Sequence, residues 1–457
     1  MNDIRHHLFP AGGISGPLQA WVLLLAAGVG IVAFWAQQSQ FALIATGFGL
    51  SFAGYALALR RARQSAGALA LGLWAALGLR LLLLLAFPQL SDDIYRFVWD
   101  GRLTLAGYSP FHHKPSWYME QGLHIPGIDE ALYNQLNSPD YHTVYPPIAQ
   151  GIFALAAALA PGSVWGAAFI IKLFLLLCDL GAVVLLIRLL QHWGRPVAGA
   201  LVYALNPLVL VEGVGNLHFE VSMVAALLLA FYALARGRPL QAAGAWALAI
   251  AAKLLPLMFM PLLIRRLGWR GSMAFFALCG LLTGVLFAPL IDGVFFHSLG
   301  DSLQLYFRQF EFNASLYYLA RWAGYAWRGH NEIAYIGPAL ATLTLLFIVL
   351  FAGLERRPEW RHFPAACLLA ISVYLFNGTT VHPWYLILPV ALAALTPWRY
   401  PLWWSGLATL SYIHYSYAPF RENYALIALE YGIVAWVALR EFRLCPPSDV
   451  GKEEHAS

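Results

Sequence analysis

Long apolar runs are the feature of this chain that most limits what it can fold into. A helix needs about 20 consecutive apolar residues to cross a bilayer. Runs at 18–37, 41–59, 67–87, 165–187, 217–234, 241–264, 271–291, 333–354 and 424–439 approach or exceed that length. Shorter or more broken runs lie at 148–160, 198–211, 363–376, 385–395 and 402–417. Of the 457 residues, 60% are hydrophobic and 11% are charged, whereas a soluble chain carries about 25% charged residues to face water. The chain therefore reads as an all-α, polytopic transmembrane helical bundle of about 11 to 14 spans. The opening run lacks a small-residue cleavage site, so it is expected to remain as a span and not leave as a signal peptide. Cys178, Cys279 and Cys367 fall in apolar runs and Cys445 follows the last one, with no CxxC spacing, so no disulfide framework or thiolate metal site is indicated. The net charge of +5 is small and spread over short loops, which argues for membrane orientation and against nucleic acid.

Lys and Arg mark cytoplasmic loops. The clusters at 60–63 (RRAR), 265–270 (RRLGWR), 356–361 (RRPEWR) and 440–443 should face that side, which places both termini there. Three connections, 88–144, 292–331 and 377–384, then fall on the outside. Basic connections at 188–195 and 236–238 land on the wrong side in this count. Either they break the rule, or 148–160 and 241–264 are re-entrant or broken, as Pro256 and Pro261 would allow. The expected organisation is N-terminal helices (1–88), an extracytoplasmic acidic loop (89–144), a transmembrane core (145–291), a second outside loop (292–332), C-terminal helices (333–443) and a polar cytoplasmic tail (444–457).

Polar side chains are scarce, so their concentration in the first outside loop is informative. It opens with SDDIYRFVWDGRLTLAGYSPF (91–111) and closes with YHTVYPPIAQ (141–150). Ser91 suits a helix N-cap, and Ile94, Phe97, Val98 and Leu105 recur at helical spacing. This predicts a short amphipathic helix on the membrane surface, with Asp93, Arg96 and Asp100 on its polar face and Asp92 in its first turn. Acids there could simply complement the helix dipole, with Asp100 pairing to Arg96. Their place at a membrane boundary beside Arg96 and Arg102 favours a functional role. Adjacent carboxylates suit two tasks, general-base work on a hydroxyl or coordination of a hard divalent ion, and the spacing does not separate them.

Two other outside connections hold polar groups. LQLYFRQFEFNASLYYLARW (303–322) places Arg308, Glu311 and Asn313 among interfacial aromatics, and NGTTVHPWY (377–385) places His382 at a boundary. A lone histidine there is more often a hydrogen-bonded structural residue than a catalyst. Within the apolar runs, Arg80, Lys172, Asp179, Lys253 and Glu430 stand out, because charge at membrane depth is costly and faces protein or a wet cavity. Lys172 and Asp179 share a helix face and could pair. Lys253 precedes a proline-broken segment and could either hold a phosphate or snorkel.

The 91–111 stretch resembles the first outside loop of the GT-C superfamily, multi-span glycosyltransferases that use polyprenyl-phosphate sugars. It looks most like bacterial relatives of the GPI mannosyltransferase group, on Asp92, Asp93, Tyr95, Asp100, Arg102, Gly107, Ser109, Pro110 and Phe111. The likeness continues through VYPPIAQ (144–150), with Tyr145, then KLFLLLCDL (172–180), ALNPLVLVEGVGNLHFE (204–220), with His218, and AAKLLPLMFMP (251–261), with Lys253. Two departures stand out: three spans precede the acidic loop where several relatives have one, and the acids read Asp-Asp-Ile-Tyr. The resemblance implies a GT-C-like fold in a bacterial inner membrane, with the active site facing the periplasm or outside. It implies an inverting transfer of a hexose, mannose in most relatives, from a polyprenyl-phosphate donor to a hydroxyl of a glycan, lipid or protein. Asp92 or Asp93 would be the base. Asp93 is favoured because it shares a helix face with Arg96 and Asp100, leaving Asp92 to orient it or bind a metal. A divalent metal is compatible with the sequence but not required by it. Arg102, Lys253 and Arg308 would steady the departing phosphate, and Tyr95, Arg96, Asp100, Tyr145, His218, Glu311 and His382 would line the substrate site. A transporter or lipid flippase is the rival reading and a non-catalytic partner the third. No second copy of the 91–111 pattern supports the internal repeat that transporters usually show.

Overall fold

The computed structural model describes residues 20–355 and 358–445, without the side chains of 303 and 305–307. The first two residues of the opening run, Arg356, Arg357 and most of the expected tail lie outside the described residues. Helices form throughout, and no strand occurs among the described residues. A single isolated parallel bridge joins Phe312 to Thr380.

Small residues let the first two helices pack with their backbones in near contact. A Cβ on Gly28 would lie 2.3 Å from Gly47 O, and one on Gly54 would lie 2.7 Å from Trp21 O, so larger side chains there would push Ala20–Gly30 away from Phe41–Ala62. The third helix, Ala66–Leu83, carries Arg80, which is fully buried. Its Nε donates to Asp179 Oδ2 at 2.6 Å, and its Nη1 donates to Ala76 O at 3.0 Å and Ala204 O at 2.6 Å. Lys172 does not pair with Asp179. Seven residues on one helix face are separated by about 10 Å of rise, and Lys172 Nζ instead donates to Leu83 O at 2.9 Å and Ala86 O at 2.6 Å. Those carbonyls lie at the helix C-terminus, where orphan acceptors and the negative end of the dipole favour a cation. Glu430 accepts from Asn313 Nδ2 at 3.1 Å and from Trp404 Nε1 at 3.0 Å.

Five described helices are long and apolar enough to cross a membrane by length and composition: Phe41–Ala62, Ala66–Leu83, Val164–His192, Leu255–Leu290, which is broken at Gly268, and Ile333–Leu354. A sixth is added if the bent pair Val197–Ala204 and Val209–Gly215 is one span. Other apolar runs form shorter helices, among them Pro147–Leu159 and Pro239–Ala252, so the expected runs do not each become one full crossing.

Pro147–Leu159 is a short helix and the run 241–264 is broken, the shapes that the second alternative calls for. Pro147–Leu159 is about 20 Å long and packs tightly on Asp93–Leu105, where a Cβ on Gly101 would lie 2.3 Å from Phe153 O. Val164–His192, which follows it, is long and apolar enough to cross. At the far end of that helix, His192 Nε2 lies 3.1 Å from Ala235 O, Arg195 bonds to Leu395 O, and Arg399 has Arg63, Arg195 and Glu441 as charged neighbours. Pro239–Ala252 rises from that end to Lys253, and the 3-10 segment Leu255–Leu263 turns back alongside it, with Trp246 Nε1 donating to Pro256 O at 3.3 Å. Arg266 then grips Glu355 through Nη1 and Nη2 at 2.6 and 2.5 Å and stacks over Phe363, which contacts Phe231 near the end of Glu220–Ala235. A turn at Gly268 (φ 69°) reverses the chain again, and Ser272 Oγ returns to within 3.5 Å of Ile264 O. The basic connections 60–63, 188–195, 236–238 and 265–266 thus gather at one end of the bundle.

Candidate active site

The acid pair follows an irregular link, residues 84–92, between Ala66–Leu83 and the helix Asp93–Leu105. The N-cap position belongs to Asp92, not Ser91, and the Asp92 side chain makes no capping bond. Ser91 Oγ instead accepts from the Asp93 amide at 3.3 Å. Asp93 Oδ1 accepts from Asn137 Nδ2 at 3.1 Å. Asp92 is the more exposed of the two. Burial of its surroundings, and next the charge of Asp93, raise its carboxyl above the ordinary aspartate range.

Both acids open into a cavity of about 620 Å³, within the 300–1,000 Å³ typical of small-molecule sites. Sequence-distant segments close it: 137–146, 217–220, 252–255, Phe310, 377–385 and Tyr415. The connections 88–144, 292–331 and 377–384 are also tied to one another. Ser302 Oγ donates to His142 O at 3.3 Å, and Phe312 N and Val381 N form a bonded pair with Thr379 O and Phe312 O at 3.1 and 2.8 Å.

Lys253 stands at the tip of the hairpin 239–264, its Nζ paired to Glu220 and 4.8 Å above the Tyr385 ring. Its side chain keeps 35% exposure. His382 stacks between Phe312 at 4.6 Å and Trp384 at 4.3 Å. Burial, with Lys253 nearby, holds its imidazole down to about 3, so it is neutral near pH 7. His218 meets Trp384 edge-on at 3.9 Å. Tyr145 packs edge-on to Phe97 and Phe153 at 4.9 and 5.4 Å and forms part of the wall.

Of the residues expected at the site, the structure brings Asp92, Asp93, Arg96, Tyr145, His218, Lys253 and His382 together around one cavity. Tyr95, Asp100, Arg102, Arg308 and Glu311 are not among its lining residues. The helix Asp93–Leu105 is covered by Pro147–Leu159 and the returning loop, which changes what its polar face does. Arg96 and Asp100 are buried and paired at 2.8 Å. Arg96 Nη1 donates to Ser138 O and Tyr141 O, both at 3.1 Å, while Asp100 Oδ2 accepts from Thr143 at 2.6 Å and Gln150 at 3.0 Å. This pair folds the returning half of the loop onto the helix. It leaves Asp93 to Asn137, so the orienting role expected of Arg96 and Asp100 is absent. Arg102 is occupied with Gly127 O and Pro161 O. Tyr95 faces Phe87. Glu311 braces Arg321, Tyr317 and Asn331. Arg308 is exposed at the end of its helix.

Sequence reasoning missed Asn137, Glu220, Asn216, Glu212 and Tyr415. For the two glutamates a signal existed, since an acid inside or between apolar runs needs a partner. The asparagines carry no charge and gave none. No group of three or more His, Cys, Asp or Glu side chains converges on a possible metal position among the described residues, so Asp92 and Asp93 lack a third such ligand there.

A family model described as alpha-(1->6)-mannopyranosyltransferase, N-terminal domain (MptA_B family), matches residues 12–267. That stretch holds the acid pair, Asn137, His218, Glu220 and Lys253. No curated protein matches the chain.

Proposed function

The chain belongs to the MptA_B family of α-(1→6)-mannopyranosyltransferases and is a mannosyltransferase; from that premise we propose that it takes mannose from a polyprenyl-phosphate donor and passes it to an acceptor hydroxyl with inversion at the anomeric carbon. The supporting observation is the convergence of the acid pair with Lys253 and His382, from three distant segments, at one cavity. Asp92 accepts the proton of the acceptor hydroxyl as that oxygen attacks the anomeric carbon. The bond to the phosphate oxygen breaks on the opposite side, and polyprenyl phosphate leaves with the electron pair. Attack from that opposite face converts a β-linked donor into an α-linked product. Asp93, held by Asn137, keeps negative charge beside Asp92 and makes it a stronger base. Lys253 supplies the cation that meets the leaving phosphate, sharing itself between Glu220 and the donor. Neutral His382 and the Trp384 and Tyr385 rings offer apolar faces and hydrogen-bonding atoms to a sugar. Acceptors compatible with this chemistry are glycan, lipid and protein hydroxyls.

The proposal is tested with protein in lipid, labelled polyprenyl-phosphate mannose and acceptor glycans, measuring release of polyprenyl phosphate and the anomeric configuration of the product. A β-linked product would overturn inversion. In the same assay Lys253→Met should weaken donor binding about 10- to 100-fold, the equivalent of losing one charge-assisted hydrogen bond. A donor KM within twofold of normal would make Lys253 structural.

The cavity lies away from the basic connections, which supports an extracytoplasmic active site in the inner membrane of a bacterium. With accessible native cysteines removed, single cysteines at Gln121 and Gln309 should both react with an impermeant thiol reagent in intact cells. One at Gln64 should not. Labelling at Gln64 together with silence at Gln121 would invert the orientation.

A further inference from the structure

The link 84–92 has no helical ladder, yet it decides where both carboxylates point. Side chains from three other elements hold its backbone. Lys172 takes Leu83 O and Ala86 O, and Gln38 Nε2 donates to Leu90 O at 3.1 Å. Asn216 Oδ1 accepts from the amides of Gln89 at 3.1 Å and Leu90 at 3.2 Å, so one side-chain oxygen serves two consecutive backbone donors. Asn216 is 4% exposed and is itself fixed. Its Nδ2 donates to Glu212 Oε2 at 3.4 Å, and Glu212 Oε1 accepts from Tyr412 at 2.7 Å. The backbone around it is irregular, with a π-helical stretch at Val209–Gly215 and Leu217 at φ +67°, a region that residues with a Cβ rarely occupy. Strained backbone of this kind persists where the surroundings over-determine it.

We propose that Asn216 is a positioning residue for mannosyl transfer: through Gln89 and Leu90 it fixes how Asp92 and Asp93 enter the cavity, with Glu212 and Tyr412 holding it in place. This rests on the reading of the acid pair as the catalytic base. Leu90 lines the cavity and Gln89 is half-buried, so water can replace the partner each amide loses. Removing the Asn216 oxygen therefore leaves the fold standing but loosens the acids. A displacement of about 1 Å at a reacting group can cost about a hundredfold in rate.

The test uses the full chain in lipid, with polyprenyl-phosphate mannose as donor. Asn216→Leu, which removes the acceptor, should lower kcat about 10- to 100-fold while donor KM stays within about threefold. Asn216→Asp combined with Glu212→Gln, which keeps an oxygen for both amides and a donor between the two side chains, should recover most of that loss. Hydrogen exchange should accelerate in the peptide covering 84–92 of the Leu variant. Should Asn216→Leu fail to fold, Asn216→Ser, polar but too short to reach both amides, is expected to show the same split between kcat and KM. Normal kcat in the folded truncation overturns the proposal, as does an Asn216→Asp/Glu212→Gln double variant no better than Leu. An inactive Asp92→Asn beside a normal Asn216→Leu sinks this inference alone. Normal turnover in both Asp92→Asn and Asp93→Asn removes the reading beneath it as well.

Discussion

Asp92→Asn is expected to lower kcat for mannosyl transfer about a hundredfold to ten-thousandfold, the range a positioned general base contributes, with donor binding changed far less. The amide keeps the shape of the carboxylate and loses only its capacity to take a proton. If Asp92 merely complemented the dipole of Asp93–Leu105, the change would be worth about 1 kcal/mol at most, or less than tenfold. The two ranges do not overlap. A pH profile adds a second readout. Burial and the Asp93 charge raise the Asp92 carboxyl, so the base form is lost, and kcat falls, as pH drops through that raised value. Asp93→Asn removes one source of the shift and should move the acid limb to lower pH. An inactive Asp93→Asn beside an active Asp92→Asn would exchange their roles. Near-normal turnover in both variants would show that the base lies elsewhere.

The second large effect is on stability. Asp179→Leu should destabilise the protein by about 3–5 kcal/mol, because it leaves the Arg80 guanidinium buried without its counter-charge. Both side chains are fully buried and their contact is 2.6 Å. The double variant Arg80→Met/Asp179→Leu, in which no charge remains, should recover most of the loss, since apolar replacement of a buried pair is often close to neutral. Thermal unfolding in lipid nanodiscs would rank the three proteins. A double variant less stable than Asp179→Leu alone would mean that the pair is favourable beyond mutual neutralisation.

The membrane class and the acid loop were legible in the sequence because both depend on local composition. The scarcity of charge exposed the bundle, and the density of acids, arginines and aromatics exposed Asp92 and Asp93. Partner choice was not legible, because it depends on which elements pack. Asp179 found Arg80 from a helix 99 residues earlier, not Lys172 on its own helix face. Arg96 and Asp100 looked like a wet polar face because the helix has the apolar spacing of a surface helix. Once Pro147–Leu159 and the returning loop cover it, the same residues become an internal clasp. Glu220, which pairs with Lys253, was hidden inside a run read as apolar. Lys253 itself was flagged correctly as a charge beside broken backbone, and the prolines at 256 and 261 explain why the backbone breaks there.

The hairpin 239–264 carries a consequence for how sides are counted along the chain. It enters and leaves at the same end of the bundle, so its net contribution to parity is zero. Every segment after it faces the side it would face if the hairpin were excised. The chain can therefore carry a lysine to the depth of the cavity without altering the end at which a single downstream loop emerges. Deep placement of a charge and global orientation, which a through-going span would lock together, are here independent variables.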